Sequence, residues 1–306
     1  MHLSIFAGRK SVQGSVAAVA LATLLALAGC QPIQPLVEAA ADTSTSVADL
    51  PRATTADVPL VIVQVTEESI ALPDTVPAGA VAFRLDGFVP TNENETMEVG
   101  RLRNGATLEE VTEMLSVPEE QMDLAGVLGK VQIVGLTSSP DAETIVDLEP
   151  GEWFISRTAA PGGPILQPFT VAAEGDAAAL QGDVQMEFLD FAYSAPESIP
   201  AGPQLWEIAN NGGQWHMMLV AKLAEGVTPD EAVQAMMQEM GGSGPSETPV
   251  YELAAAWEPM SEGMRAWIEL DLAPGNYVLV CPIPDVNGDF MPHMMKGMVG
   301  SLVVTE

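Results

Sequence analysis

The stretch Leu270-Asp271-Leu272-Ala273-Pro274-Gly275-Asn276-Tyr277-Val278-Leu279-Val280-Cys281 decides how this chain folds. Apolar residues flank a Pro-Gly pair. Proline presets φ at the first corner of a tight turn and glycine accepts the corner that follows, so the stretch reads as two short strands joined by a turn. The same grammar appears earlier, as Val146-Asp147-Leu148-Glu149-Pro150-Gly151-Glu152-Trp153-Phe154-Ile155-Ser156. Two more blocks recur in the same order. Pro73-Asp74-Thr75-Val76-Pro77-Ala78-Gly79 matches Pro196-Glu197-Ser198-Ile199-Pro200-Ala201-Gly202. Leu102-Arg103-Asn104-Gly105-Ala106-Thr107-Leu108-Glu109-Glu110 matches Leu223-Ala224-Glu225-Gly226-Val227-Thr228-Pro229-Asp230-Glu231. The offsets are 124, 123 and 121 residues. Three ordered blocks at nearly constant offset predict an internal duplication.

Strands are expected at 60–66, 80–85, 204–209, 266–272, 277–281 and 298–304, where short apolar or alternating runs stand between turn residues. One helix is expected in each repeat. Thr107 with Glu110, and Thr228 with Glu231, have capping-box spacing, and Pro229 takes the favoured first helical position. Val233, Met236, Met237 and Met240 form one apolar stripe, which reads as core-facing rather than as a copper-handling surface. The fold class is all-β: two tandem Greek-key sandwiches, each with one inserted helix.

Residues 1–29 read as a lipoprotein signal peptide. Arg9 and Lys10 precede an apolar run at 16–28, which ends in Leu27-Ala28-Gly29-Cys30. This resembles a bacterial lipobox, with Cys30 as the lipidated residue. No later stretch is apolar over enough length to span a bilayer. Residues 30–57, rich in Pro, Ala, Thr and Ser, read as a flexible tether. The expected domains are then 58–173 and 182–306. Together these features predict an extracytoplasmic protein held to a bacterial membrane by its N-terminal lipid only.

The formal net charge is −31, with 42 acidic and 11 basic side chains. Such a surface repels nucleic-acid phosphates and anionic lipid, so a nucleic-acid partner is excluded. A basic redox partner would suit it, although acidity also serves solubility by itself. Glu67-Glu68 and Glu119-Glu120 read as solvated faces. Asn94-Glu95-Thr96 has the form of a glycosylation sequon but carries no meaning in a bacterial lipoprotein.

Soft metal ligands are scarce. The chain has three histidines and two cysteines, and with His2 and Cys30 in the export apparatus, His216, Cys281 and His293 remain. Met298 follows closely, after Cys281-Pro282-Ile283-Pro284-Asp285-Val286-Asn287-Gly288-Asp289-Phe290-Met291-Pro292-His293-Met294-Met295-Lys296-Gly297. Two imidazoles, a thiolate and a thioether are the donor set of an electron-transfer copper site. Cys281 has no cysteine to pair with if Cys30 carries lipid, which marks it as reactive or metal-bound.

At these residues the chain resembles a known family, the cupredoxins or blue copper proteins of the plastocyanin and azurin type. The resemblance covers about 182–306 and is most specific in His293-Met294-Met295-Lys296-Gly297-Met298-Val299-Gly300. It implies one type 1 copper per chain, with His216, Cys281 and His293 as equatorial ligands and Met298 as the weak axial ligand. Met294 and Met295 are rival thioethers. The sequence departs from the family in the eleven residues between Cys281 and His293. Asn287-Gly288 is a tight-turn pair that allows this insert to form a small hairpin and return His293.

The first repeat lacks this set: Cys281 aligns with Arg157, His216 aligns near Glu93 or Glu95, and 158–170 contains no His or Met. That repeat reads as a spacer or docking module. Three functions follow. The first is a one-electron Cu(I)/Cu(II) carrier and not an enzyme. The second is a copper-delivery protein that also uses Met217, Met218, Met291, Met294 and Met295. The third is a metal-free interaction module. No Gly-x-Ser-x-Gly, His-Glu-x-x-His or phosphate loop is present.

Overall fold

The computed structural model describes residues 55–306 apart from 93–94, 118–120, 140–141, 161, 174–179 and 244–247. The signal peptide, Cys30, most of the 30–57 tether, Asn94 and the pair Glu119-Glu120 lie outside the described residues. The first half runs β1 (Leu60–Val65), β2 (Ile70–Ala71), β3 (Thr75–Val76), β4 (Gly79–Asp86), β5 (Met97–Leu102), α1 (Leu108–Leu115), α2 (Leu124–Lys130), β6 (Val131–Leu136), β7 (Thr144–Leu148), β8 (Gly151–Arg157) and β9 (Ile165–Val171). The second runs β10 (Val184–Leu189), β11 (Ala192–Ser194), β12 (Ser198–Pro200), β13 (Gly202–Asn210), β14 (His216–Leu223), α3 (Pro229–Gln238), β15 (Tyr251–Met260), β16 (Arg265–Leu272), β17 (Gly275–Val280) and β18 (Val299–Thr305).

Two sheets pack face to face. One has the order β11-β10-β13-β16-β7-β4-β1-β2, and the other β12-β18-β17-β14-β15-β6-β5-β8-β9-β3. Each order reads the same from both ends once β10–β18 are set against β1–β9. The chain crosses between sheets several times in each half, as a Greek-key path requires. Both sheets run through the two halves without a break. The seams are β16 on β7, with Trp267 opposite Ile145, and β15 on β6, with Met260 opposite Val134. Pairing these strands satisfies backbone groups that two separate sandwiches would leave as open edges.

Side-chain alternation explains the layers. β1 alternates exposed and buried residues, as a strand with one wet face should. In β17, by contrast, all of Tyr277 to Val280 are buried. Tyr277 and Leu279 point into the core between the sheets, and so does Cys281 just beyond the strand. Val278 and Val280 point the other way, beneath α3, where they meet Ala221, Ala232 and Met236. The methionine stripe of α3 therefore serves packing, with Val233, Met237 and Met240 against the same cluster.

Thr228 and Glu231 form the full capping box, whereas Thr107 only accepts the Glu110 N–H. Among the described residues, the first half holds two α-helices rather than the one expected. Its second, α2, is capped by Asp123, whose carboxylate accepts the Gly126 N–H at 2.9 Å. Val127 then buries against Val111, Val131, Ile133 and Phe154. At seven residues this helix has too few turns to show a period in the sequence.

Candidate metal centre

Two connections at one pole, β13 to β14 and β17 to β18, bring the soft ligands together. His216 opens β14, and Asn210 ties down the loop that leads into it. The Asn210 amide donates to the carbonyls of Gln214 at 2.8 Å and Met260 at 2.6 Å, and its Oδ1 accepts the Gly212 N–H at 2.9 Å. Cys281 follows β17, which is hydrogen-bonded to β14 on one side and β18 on the other. His293 opens a turn at His293–Lys296 that Gly297 ends at φ 109°, a left-handed conformation costly for other residues.

The eleven-residue insert doubles back as the tight-turn pair predicts. Pro284 and Pro292 form an antiparallel bridge, and Asp285 N–H donates to Met291 O at 2.9 Å. The Asp285 carboxylate pins the loop, accepting from Gln214 Nε2 at 3.0 Å and Lys296 Nζ at 2.5 Å. The Lys296 ammonium holds the Asp285 carboxyl below the ordinary carboxylate range. Backbone bonds then lock the return: His293 N to Ile283 O at 2.8 Å, Met294 N to Cys281 O at 2.9 Å and Met298 N to His293 O at 3.0 Å.

His216, Cys281 and His293 are fully buried, and their donor atoms lie within 4.8 Å of one another. His216 Nδ1 is 3.1 Å from His293 Nδ1, and Cys281 Sγ is 3.5 Å from His293 Nδ1. Metal–nitrogen bonds of about 2.0 Å and metal–sulfur bonds of about 2.3 Å place donors on one ion roughly 3–4 Å apart. Both contacts made by His293 Nδ1 thus have the spacing of donors in one coordination sphere.

The methionines separate by cluster. Met298 is fully buried in the core that holds Cys281, and Cys281 N–H donates to Met298 O at 3.3 Å. Met294 turns away into the cluster beneath α3, and Met295 is 48% exposed. Of the three thioethers, only Met298 shares the compartment of the thiol. Met217 and Met218 are also buried in that core, while Met291 is exposed on the insert.

Burial governs the electrostatics. It pushes the Cys281 thiol up to about 12, against the opposing pull of the Met217 and Ile283 backbone N–H groups. A coordinating metal deprotonates such a thiol outright. Burial, reinforced by His216, takes His293 down to about 4, and burial also lowers His216 against the pull of Asp190. Unfolded imidazoles take up protons near pH 6.5, so between that pH and about 4 the unfolded state binds more protons than the folded one. The metal-free protein is therefore expected to lose stability as pH falls through this window. Thermal unfolding at a series of pH values checks this, and a flat profile would contradict it.

The first half shows what replaces the ligands. Glu95 and Arg157 stand at offsets of 121 and 124 residues from His216 and Cys281, and they form a buried ion pair. Arg157 also donates to Thr66 O at 2.5 Å, and Glu95 accepts from the Thr91 N–H and hydroxyl, each at 2.6 Å. The sequence alignment left Glu93 and Glu95 as alternatives; Glu95 is the partner of Arg157, and Glu93 lies outside the described residues.

One residue that sequence reading passed over belongs to the site. Asp190 Oδ1 lies 2.8 Å from His216 Nε2. It sits 26 residues before the histidine, between β10 and β11, where nothing local marks it.

No protein-family model matches this chain, and no curated relative does. Among solved structures, a dithionite-reduced auracyanin from Roseiflexus castenholzii matches at 22% identity, over 40% of this chain and 95% of its own, with a TM-score of 0.29. Auracyanin A, a "blue" copper protein from Chloroflexus aurantiacus, matches at 17% identity over 40% and 96%, with a TM-score of 0.27. A copper nitrite reductase from Nitrosomonas europaea matches at 10% identity over 81% and 94%, with a TM-score of 0.23.

Proposed function

We propose that this chain is a copper-binding electron carrier that holds one type 1 copper per chain. The observation that carries the reading is the convergence of two buried imidazole Nδ1 atoms and one buried thiol at 3.1 and 3.5 Å. His216, Cys281 and His293 would supply the strong donors and Met298 the weak fourth. A bound copper ion supplies a one-electron couple, Cu(II)/Cu(I). The protein's part is to hold the donors still. Each sits on or beside a hydrogen-bonded strand or a stitched turn, so the donor positions change little with oxidation state. Burial keeps water from the position. The role is transfer rather than catalysis, and the acidic surface suits a basic partner protein. Residues 1–30 support attachment by lipid on Cys30 outside the cytoplasmic membrane.

Exposed Met291 and Met295, at 41% and 48%, favour a second reading, copper delivery through thioethers on the insert and turn. Titration with Cu(II) followed by voltammetry separates the two. The carrier takes one equivalent, develops intense visible absorption and shows a reversible one-electron wave. A colourless complex, or rapid loss of Cu(I) to a chelator, would rule the carrier out.

A further inference from the structure

The two imidazoles at the centre are not held alike. His293 Nε2 is buried and, among the described residues, has no hydrogen-bond partner. On that side its ring is steadied by packing, with Phe191 edge-on at a centroid distance of 4.9 Å. His216 has a built support. Its Nε2 faces Asp190 Oδ1 at 2.8 Å, while the same carboxylate accepts the Gly213 N–H through both oxygens, at 3.1 and 3.0 Å. Asp190 is thereby tied to the loop that delivers His216. The loop leaves room for this contact only because residue 212 is glycine. A Cβ there would lie 2.5 Å from His216 Nε2 and 2.6 Å from Asp190 Oδ1.

A carboxylate has no hydrogen to give, so the hydrogen of this bond belongs to His216 Nε2. That leaves the His216 Nδ1 lone pair directed at His293 Nδ1. The short Nδ1–Nδ1 contact is then a bond donated by His293. From this geometry we infer that Asp190 is a positioning residue: it fixes the tautomer and ring plane of His216, so that Nδ1 is a ready metal donor before any metal arrives. Carboxylate–histidine–metal arrays act in this way elsewhere, and loss of the outer partner typically weakens metal binding about 10–100-fold. The inference rests on the metal reading above, but its first test does not.

That test is ¹⁵N NMR of the metal-free wild type. His216 is expected to show a protonated Nε2 and an unprotonated Nδ1, and the opposite tautomer overturns the inference even if copper binds. The second test is Cu(II) affinity by chelator competition. Asp190→Ala and Gly212→Ala are expected to weaken binding about 10–100-fold. Asp190→Asn keeps an acceptor oxygen and is expected to restore most of it. Full affinity in Asp190→Ala, with wild type binding normally, would sink the inference and leave the copper reading standing. A wild type that binds no Cu(II) would sink the copper reading, while the tautomer still decides the role of Asp190.

Discussion

Cys281→Ser is expected to abolish the intense visible absorption of the copper-loaded protein and its reversible wave, while the fold survives. The absorption depends on covalency between a thiolate and Cu(II), and a serine hydroxyl, with its high pKa and hard oxygen, cannot replace it. The core should accept the change. Cys281 lies just beyond β17 with its side chain in the sandwich interior, and its Sγ already receives hydrogen-bond donors from Met217 and Ile283. A serine oxygen there keeps those partners, so the thermal unfolding of the metal-free variant should stay near that of wild type. Titration with Cu(II) under absorbance and circular dichroism measures both. A visible band that persists in the serine variant would show that some other donor set holds the metal.

Arg157→Ala is expected to be strongly destabilising. Arg157 and Glu95 are 4% and 0% exposed at their side chains. Removing one partner of a buried pair strands the other charge, which typically costs about 3–5 kcal/mol. At roughly 2–4 °C per kcal/mol for a body of this size, the unfolding temperature should fall by about 10 °C. Burial pushes the Glu95 carboxyl up, but bonds from Thr91 and Arg157 outweigh that and hold it below its ordinary value of 4.5. Its contribution is thus present at neutral pH and is lost as pH falls through the lowered value. Replacing both residues by leucine should recover most of the loss, because the cost is the unpaired charge rather than the missing bond. The site in the second half should keep its copper absorption. An unchanged unfolding temperature in Arg157→Ala would show that the pair is solvated and structurally idle.

The pair also shows what alignment alone could establish. The offsets of 121 and 124 marked Arg157 and a nearby glutamate as the counterparts of Cys281 and His216. That removed the first half as a copper site, because a guanidinium is no metal ligand. It did not show that the two residues face each other. The register of β5 on β8, with Met97 opposite Arg157, makes that so. The same limit hid Asp190, which meets His216 only because the loops after β10 and before β14 meet at one pole. It also hid the seam, since the strands that join the halves lie more than 100 residues apart.

The sequence by itself marked strands at 60–66, 80–85, 204–209, 266–272, 277–281 and 298–304, the Pro-Gly turns, the caps of α1 and α3, and the four candidate donors with their absence from the first half. These depend on local periodicity, turn chemistry and residue type, which are written in neighbouring positions. Only the tertiary structure decided that the insert returns His293 to Cys281, that Met298 rather than Met294 shares the thiol's compartment, and that Asp190 backs His216. It alone decided that two sandwiches share two unbroken sheets. Each of these is a meeting of distant segments, fixed by strand pairing and by which face of a strand points into the core. One residue of register separates Val280, beneath α3, from Cys281, in the candidate metal centre.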